Sequence, residues 1–380
     1  MIAITCNEDL RLLAQRRVPR AIFDYVDRGS YDEATLRANR ADLDAIKLRQ
    51  RVMIDVSKRS LAAGFVGQPS TMPVALAPTG LGGILHADGE IHAARAALAF
   101  GVPYTLSTLS ICSLEAVRAA VQKPFWFQLY VMRDRDFAAS LIERAKAAQC
   151  SALVLTADLQ IQGQRHRDIK NGLSVPPRLT LANALDIAGK PQWALAMLRT
   201  KHRNFGNLIG HLKVKQDLTT LAQWIASQFD PTLSWKDVAW VRSLWPGKLI
   251  VKGILDATDA QYAADAGADA IVVSNHGGRQ LDGAPSTIAA LPHIVATVGD
   301  RIELLFDGGV RSGQDVFKAL ALGARGVMIG KAFMYGLGAL GEAGVTRALE
   351  LIRNELDVSM ALTGTCDVRD IGRHALWTNA

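Results

Sequence analysis

Cysteine is scarce in this chain: four thiols in 380 residues (Cys6, Cys112, Cys150 and Cys366), far apart and with no C-x-x-C pair. That argues against a disulfide scaffold, a zinc ribbon and a thioredoxin-like site. Long apolar runs are missing too. Gly, Pro or charge interrupts every apolar stretch well before the roughly eighteen residues of a spanning helix. The opening MIAITCNEDLRLLAQRRVPR has early acids and no sustained apolar core, so no secretory signal is expected and a reducing compartment fits. The eight histidines form no H-E-x-x-H pair, and no Asp/Glu/His cluster has metal-ligand spacing, so no metal is expected. What is present is a folding composition: 49% hydrophobic and 21% charged residues can bury a large core and exclude wholesale disorder. At about 150 residues per domain the length suits two or three units. It also suits a single α/β barrel of roughly 250 residues with appendages.

Acids are the minority charge, 36 against 43 basic residues, for a formal +7. The excess is local. Residues 176–216 carry Arg178, Lys190, Arg199, Lys201, Arg203, Lys213 and Lys215 against Asp186 alone, interleaved with Trp193, Leu195, Met197, Leu198, Phe205, Leu208 and Ile209. Two readings stand: an interfacial segment for an anionic membrane surface, or a solvated mobile loop. Nucleic-acid binding is not expected, because no recognised binding module accompanies the charge.

From residue 72 onward, short β-branched or apolar runs alternate with Ala-rich helical segments, the pattern of repeated βα units. The runs are 74–77, 103–107, 125–129, 152–156, 249–252, 270–274, 302–307 and 326–330, with helix-like stretches such as 89–100, 135–149, 257–266 and 313–322 between them. Eight such units predict a TIM (β/α)8 barrel. Helical patterning at 8–17 and 19–27 makes 1–71 an N-terminal cap. The barrel then covers 72–345, with a basic insertion of about 172–235 after strand four, and 346–380 is a C-terminal helical segment. Active sites of this fold lie at the C-terminal strand ends, so that insertion should overhang the site as a lid.

Those strand ends present Pro78 and Thr79, Ser107, Gln128 and Tyr130, Thr156 and Asp158, Lys252, Ser274 to Arg279, Asp307 to Arg311, and Gly330 with Lys331. The loops DGGVRSG (307–313) and IGKAF (329–333) combine small glycines with Arg311 and Lys331 and imply a phosphate-bearing cofactor. Lys252 follows an apolar run, where an ammonium needs an anion. It could pair with a carboxylate, act as a Schiff-base lysine, or stabilise an anionic cofactor ring. In SNHGGRQLDG (274–283), two glycines allow a turn that brings His276, a base near neutral pH, beside Arg279, whose fork matches a carboxylate. A base beside a carboxylate clamp suggests chemistry at the carbon next to a carboxylate. Gly336-Leu-Gly338-Ala-Leu-Gly341 matches GxGxxG but lies in a helical region without the strand-turn-helix context, and reads as helix packing.

With these strings in view, the chain resembles the FMN-dependent L-2-hydroxy acid dehydrogenases and oxidases, and among them most the bacterial respiratory L-lactate dehydrogenases. The resemblance runs through FDYVDRGSYDE (23–33), LAPTGLGG (76–83), TLSTLSICSLE (105–115), WFQLYVMRDRDF (126–137), VKGI (251–254), SNHGGRQLDG and DGGVRSGQDVFKALALGA (307–324). It implies His276 as base and Asp158 as its carboxylate. Arg279, Arg165 and Tyr25 would hold the substrate carboxylate, and Tyr130 the substrate oxygen. For FMN it implies Ala77, Pro78, Thr79, Ser107, Gln128 and Thr156 around the ring, Lys252 on the anionic reduced flavin, and Ser274 beside it. Asp307 would hold the ribityl chain, and Gly308, Gly309, Arg311, Gly330 and Lys331 the phosphate.

The implied reaction converts an L-2-hydroxy acid, best L-lactate, to a 2-keto acid, with electrons passing to a quinone or another respiratory acceptor. The alternative is a soluble oxidase that makes hydrogen peroxide from O₂. A homo-oligomer, a tetramer by the same resemblance, is expected in the cytoplasm or peripheral on the cytoplasmic face of the inner membrane. The chain departs from many members at Gln160, where proline is usual, and at Leu109, where glycolate oxidase has tryptophan. Gly80 stands where oxidases tend to have alanine, which leans towards a dehydrogenase. Outside this family, a flavin-free aldolase or isomerase barrel would use Lys252 or the phosphate loops alone, and a pure binding module would have no use for the base.

Overall fold

The computed structural model describes residues 3–172, 180–209 and 218–377, without the side chains of 218–222. Each of the eight expected runs forms a strand. A short hairpin, β1 (Ala63–Phe65) and β2 (Gln68–Ser70), comes first. The eight parallel strands follow: β3 (Val74–Leu76), β4 (Thr105–Ser107), β5 (Trp126–Leu129), β6 (Ala152–Thr156), β7 (Lys248–Ile254), β8 (Ala270–Val273), β9 (Glu303–Phe306) and β10 (Gly326–Ile329). They pair in the order β3-β10-β9-β8-β7-β6-β5-β4. A parallel bridge between Leu76 and Tyr104, with the Leu76 amide donating to Pro103 O at 2.9 Å, brings β4 back to β3 and makes a TIM barrel.

All eight strands are buried along nearly their whole length, which is why they read as apolar runs without alternation. Their inward side chains, among them Ala75, Trp126, Val154, Ile250, Val272, Leu305 and Met328, form one cluster. The β1–β2 hairpin, which the sequence reading does not anticipate, supplies the rest of it. Val66 and Gly67 both have positive φ, as a two-residue hairpin turn requires. Phe65 and Val66 enter the barrel base, where Phe65 meets Trp126 edge to face at 6.0 Å. The Val66 amide donates to Glu303 Oε2 at 2.6 Å, at the N-terminal end of β9. The mouth opposite the strand C-termini is thereby closed.

Three helices, Asn7–Arg17, Arg20–Asp27 and Ala34–Ala45, precede the hairpin. The first packs against helix Lys331–Leu340. Gly336 serves that region as a crossing point: a Cβ there would lie 2.3 Å from Gly344 O of the following helix, Glu342–Thr363. The GxGxxG string is thus helix packing.

Between β6 and β7 lie helices His166–Lys170, Leu181–Ala188, Pro191–Arg199, Leu218–Gln228 and Trp235–Leu244. Leu181–Ala188 and Pro191–Arg199 bury no residue. They are tethered by Trp193 Nε1 donating to Ile84 O (3.0 Å), Lys190 Nζ to Arg16 O (2.6 Å) and the Arg20 amide to Asp186 (2.6 Å). Farther on, buried Asn207 donates to Ser107 O, Thr108 O and Ser110 Oγ and accepts from the Leu114 amide, which fixes this part of the insertion to the β4 loop. Arg178, Lys213 and Lys215 of the basic stretch lie outside the described residues.

Candidate active site

The C-terminal strand ends open into a cavity of about 350 Å³. Sixteen of the site residues expected from the sequence line it: Tyr25, Ala77, Pro78, Thr79, Ser107, Tyr130, Arg165, Lys252, His276, Arg279, Asp307, Gly308, Gly309, Arg311, Gly330 and Lys331. Of the other four, Gln128, Asp158 and Ser274 stand one hydrogen bond behind the wall, and Thr156 stands behind Gln128. Gln128 accepts from Ser107 Oγ and donates to Thr156 Oγ1, each at 3.0 Å, so one polar relay crosses β4, β5 and β6. Asp158 accepts from His276 Nδ1 at 2.9 Å, and Ser274 Oγ accepts from Lys252 Nζ at 2.9 Å.

His276 follows β8 in the left-handed region (φ 57°), its amide donating to Ser274 Oγ at 3.1 Å. Asp158 can reach it because β7 carries an irregularity between Lys252 and Ile254. Gly253 there has φ 102°, and a Cβ on it would lie 2.5 Å from Asp158 Cγ. Burial pushes the His276 imidazole below its ordinary range, and the Asp158 carboxylate only partly restores it. Burial would raise Asp158, but His276 and Lys252 beside it hold it below the usual carboxylate range. The pair is therefore a neutral imidazole on an ionised carboxylate. With Nδ1–H assigned to that carboxylate, Nε2 is the basic nitrogen.

Lys252 pairs with Asp307 Oδ2 at 3.0 Å deep in the wall. Burial works against its charge, yet Asp307 and Asp158 hold it above the ordinary lysine range. Of the three readings, the Schiff-base lysine needs a neutral amine and does not fit. Asp307 Oδ1 is buried without a hydrogen-bond partner.

Arg279 is half-buried with its guanidinium 4.8 Å from the Tyr25 ring centroid, donating to the carbonyls of Tyr25 and Arg28. Arg165 stands 5.9 Å from the same ring and donates through Nε to Arg279 O at 3.4 Å. Burial, and then Arg165, lower the hold of Arg279 on its proton. Two guanidiniums forced together over one ring are a receptor for an anion. Half-buried Tyr130 lies edge to face with Phe229 at 6.4 Å, its phenol pushed up by desolvation and so protonated.

At the β9 and β10 ends, Gly308 and Gly309 have φ 104° and 85°, and a Cβ on Gly309 would strike Asn39 O at 2.5 Å. Arg311 lies 4.7 Å from the Tyr335 ring centroid. Lys331, first residue of its ten-residue helix, donates through Nζ to Asp27 O at 2.7 Å and to Arg28 O at 3.4 Å. Burial, followed by Arg311 and Arg279, pushes it well below the lysine range.

Several lining residues were not anticipated: Leu81, Ile84, Leu159, Asp168, Phe205, Ile225 and Phe229. Asp168 is a buried carboxyl raised by burial, with Arg279 and Arg165 opposing the rise. Phe205, Ile225 and Phe229 come from the insertion, which overhangs the cavity as expected.

Comparison with known proteins agrees with this geometry. A family model described as FMN-dependent dehydrogenase matches residues 14–378. The chain is 49% identical over 375 residues to the L-lactate dehydrogenase of Caulobacter vibrioides, covering 98% of this chain and 97% of that one. It is 48% identical over 374 residues to that of Pectobacterium atrosepticum, covering 98% and 97%. Among solved structures it superimposes on a monotopic membrane protein, (S)-mandelate dehydrogenase, with a TM-score of 0.94 and 36% identity over the whole of both chains.

Proposed function

Because the chain belongs to the FMN-dependent dehydrogenase family, oxidoreductases of 2-hydroxy acids that act on CH–OH, we propose that it converts L-lactate to pyruvate and passes the electrons to a membrane quinone or a similar respiratory acceptor. The observation that carries the reading is the Arg279–Arg165 pair set in one cavity with the His276–Asp158 dyad. The substrate class follows from that chemistry, and L-lactate from the names of the most similar relatives. The acceptor is suggested by the exposed apolar and basic helices of the insertion and by the monotopic membrane neighbour.

The residues fit FMN. Among the described residues Asp307 Oδ1 lacks a partner, and the half-buried Lys331 amine donates to two carbonyls and is crowded by Arg311, an arrangement that a ribityl phosphate would complete. Gly308, Gly309, Arg311, Gly330 and Lys331 would hold the phosphate, with help from the N-terminus of helix Lys331–Leu340. Ala77 to Thr79, Ser107, Gln128 and Thr156 would hold the ring, and Lys252 with its partner Ser274 would stabilise negative charge on it. Bound FMN supplies the two-electron acceptor.

Arg279 and Arg165 bind the carboxylate of the acid through paired, charge-assisted hydrogen bonds, and Tyr25 backs them. Tyr130 donates to the substrate oxygen. Oxidation of CH–OH to C=O removes two protons with the two electrons. His276 Nε2 takes one proton, the other would leave with the two electrons to bound FMN, and Asp158 stabilises the imidazolium that results. Leu109, Phe205, Ile225 and Phe229 exclude water from the reacting carbon.

We read 1–71 as cap, 72–345 as barrel with the insertion at about 172–235, and 346–380 as terminal segment of a single catalytic unit that works as a homo-oligomer, tetrameric by resemblance, peripheral on the cytoplasmic face of the inner membrane. Anaerobic mixing of the yellow holoprotein with L-lactate, glycolate or L-mandelate tests the chemistry. L-lactate should bleach the flavin fastest, and bleaching by none of the three would overturn the reading. In air, a quinone analogue should reoxidise the protein with little peroxide. Stoichiometric peroxide would replace the quinone reading with that of an oxidase.

A further inference from the structure

Away from the cavity floor, three loops converge on one cluster. Asp88 precedes helix Gly89–Phe100, Cys112 lies in the loop after β4, and His202 belongs to the insertion. Their ligating atoms all lie within 4.8 Å of one another. His202 Nδ1 meets Asp88 Oδ1 at 2.7 Å, and Thr200 Oγ1 donates to the same oxygen at 2.6 Å. The Cys112 thiol is fully buried, whereas the Asp88 side chain is 38% and that of His202 18% exposed, so the cluster has a closed floor and an open side.

We propose that Asp88, Cys112 and His202 form a zinc site that staples the insertion to the barrel. A thiolate, an imidazole and a carboxylate are the donors zinc takes in tetrahedral sites, and a water on the open side would be the fourth. Bonds of about 2.0–2.3 Å put ligand atoms about 3.3–3.8 Å apart, so the present separations need only small side-chain shifts. The charge around the cluster favours a cation. The groups acting on Asp88 and Cys112 are the carboxylates of Asp88 and Glu90 and the imidazoles of His92 and His202. Glu90 is itself buried and accepts from the amides of Gly83, Ile111 and Cys112, so its charge is held next to the thiol. The protonated thiol is the metal-free state. As the Zn–S bond forms, the S–H proton leaves to solvent.

No sequence spacing announces such a site, because each ligand comes from a different loop. Its place gives it a use. Leu109 and Phe205, each three residues from a ligand, line the catalytic cavity. Zinc would therefore fix two sides of the wall to each other without touching the reacting groups.

The test is zinc content and affinity of the FMN-loaded protein, stripped with a chelator and titrated with Zn²⁺. One equivalent per chain should bind with release of about one proton from the thiol. Cys112→Ala and His202→Gln should each abolish that equivalent while the flavin spectrum, which reports the fold, is retained. Thr200→Val, which removes the hydroxyl that donates to Asp88 and accepts from the His202 amide while leaving all three ligands in place, should weaken binding about tenfold. X-ray absorption at the zinc edge of the unmutated protein should show one sulfur at about 2.3 Å among nitrogen and oxygen neighbours. Absence of stoichiometric zinc, zinc that survives Cys112→Ala, or a shell without sulfur would each overturn the proposal, and the last needs no variant.

Discussion

As the proposed base, His276 would have to be deprotonated at rest, oriented by a single bond, and able to carry a positive charge during turnover; its surroundings meet each need separately. Burial keeps the imidazole neutral, Asp158 fixes the tautomer, and the same carboxylate stabilises the cation. Replacing His276 with alanine should leave FMN content unchanged and slow flavin reduction by at least about a hundredfold. Reduction at near wild-type rates would remove it as the base. In the unmutated protein, kcat/KM should rise with pH through an acid limb below the ordinary imidazole value of about 6.5, since only the neutral form accepts a proton. Asp158→Asn takes away the group that raises the His276 pKa, so the limb should move to lower pH as the rate falls. A limb that moves upward would contradict the assignment. Residues such as His276 and Arg279 were legible in the chain because each directly follows an apolar strand, whose end on this fold must face the cavity. Asp168, Phe205 and Phe229 carried no such signal: Asp168 sits in the short helix His166–Lys170 ahead of the insertion, and the two phenylalanines in the insertion itself, whose path over the cavity is set by docking contacts such as Asn207 on the β4 loop.

Among elements, the β1–β2 hairpin serves the barrel at the greatest distance from the chemistry. Phe65 and Val66 fill the base of the interior, against Trp126 and beneath the Gln128 relay of the same strand. Phe65→Ala should cost about 3–5 kcal/mol, read as a lowered thermal midpoint, with FMN stoichiometry and KM unchanged in the folded fraction. A changed KM with unaltered stability would mean that the hairpin reports to the site. The eight parallel strands were readable because burial on both faces makes each an unbroken apolar run. The hairpin was not, because three-residue strands have too little pattern to separate from a loop, and their energy comes from a barrel base that exists only after closure. Gly253 illustrates the same limit. Its requirement is tertiary, the room for Asp158, and local sequence cannot state it.

Across the whole molecule, the charge asymmetry has a location. In helices Leu181–Ala188 and Pro191–Arg199, Leu181, Leu185, Leu195 and Leu198 are 78%, 66%, 47% and 69% exposed. Lys190, Arg199, Lys201 and Arg203 lie in and beside them. Among the described residues no helix is long and apolar enough to cross a membrane, so any attachment through these helices is to a surface. Deleting 176–216 should release the protein from vesicles containing anionic lipid, and raised salt should weaken binding of the full chain, at about 1 kcal/mol per basic residue near the surface. Unchanged sedimentation would leave the segment as a solvated loop. One further feature ties the two ends of the cavity together. The carbonyls of Tyr25, Asp27 and Arg28, where helix Arg20–Asp27 stops, hold Arg279 on one side and Lys331 on the other. A single helix terminus thus braces both the arginine proposed to grip the substrate's carboxylate and the lysine proposed to grip the cofactor's phosphate. Occupancy of either should then steady the brace for the other, and thermodynamic reciprocity would make that gain in binding free energy equal in both directions. The substrate acid would tighten the equilibrium hold on FMN by the same factor by which FMN tightens the hold on the acid.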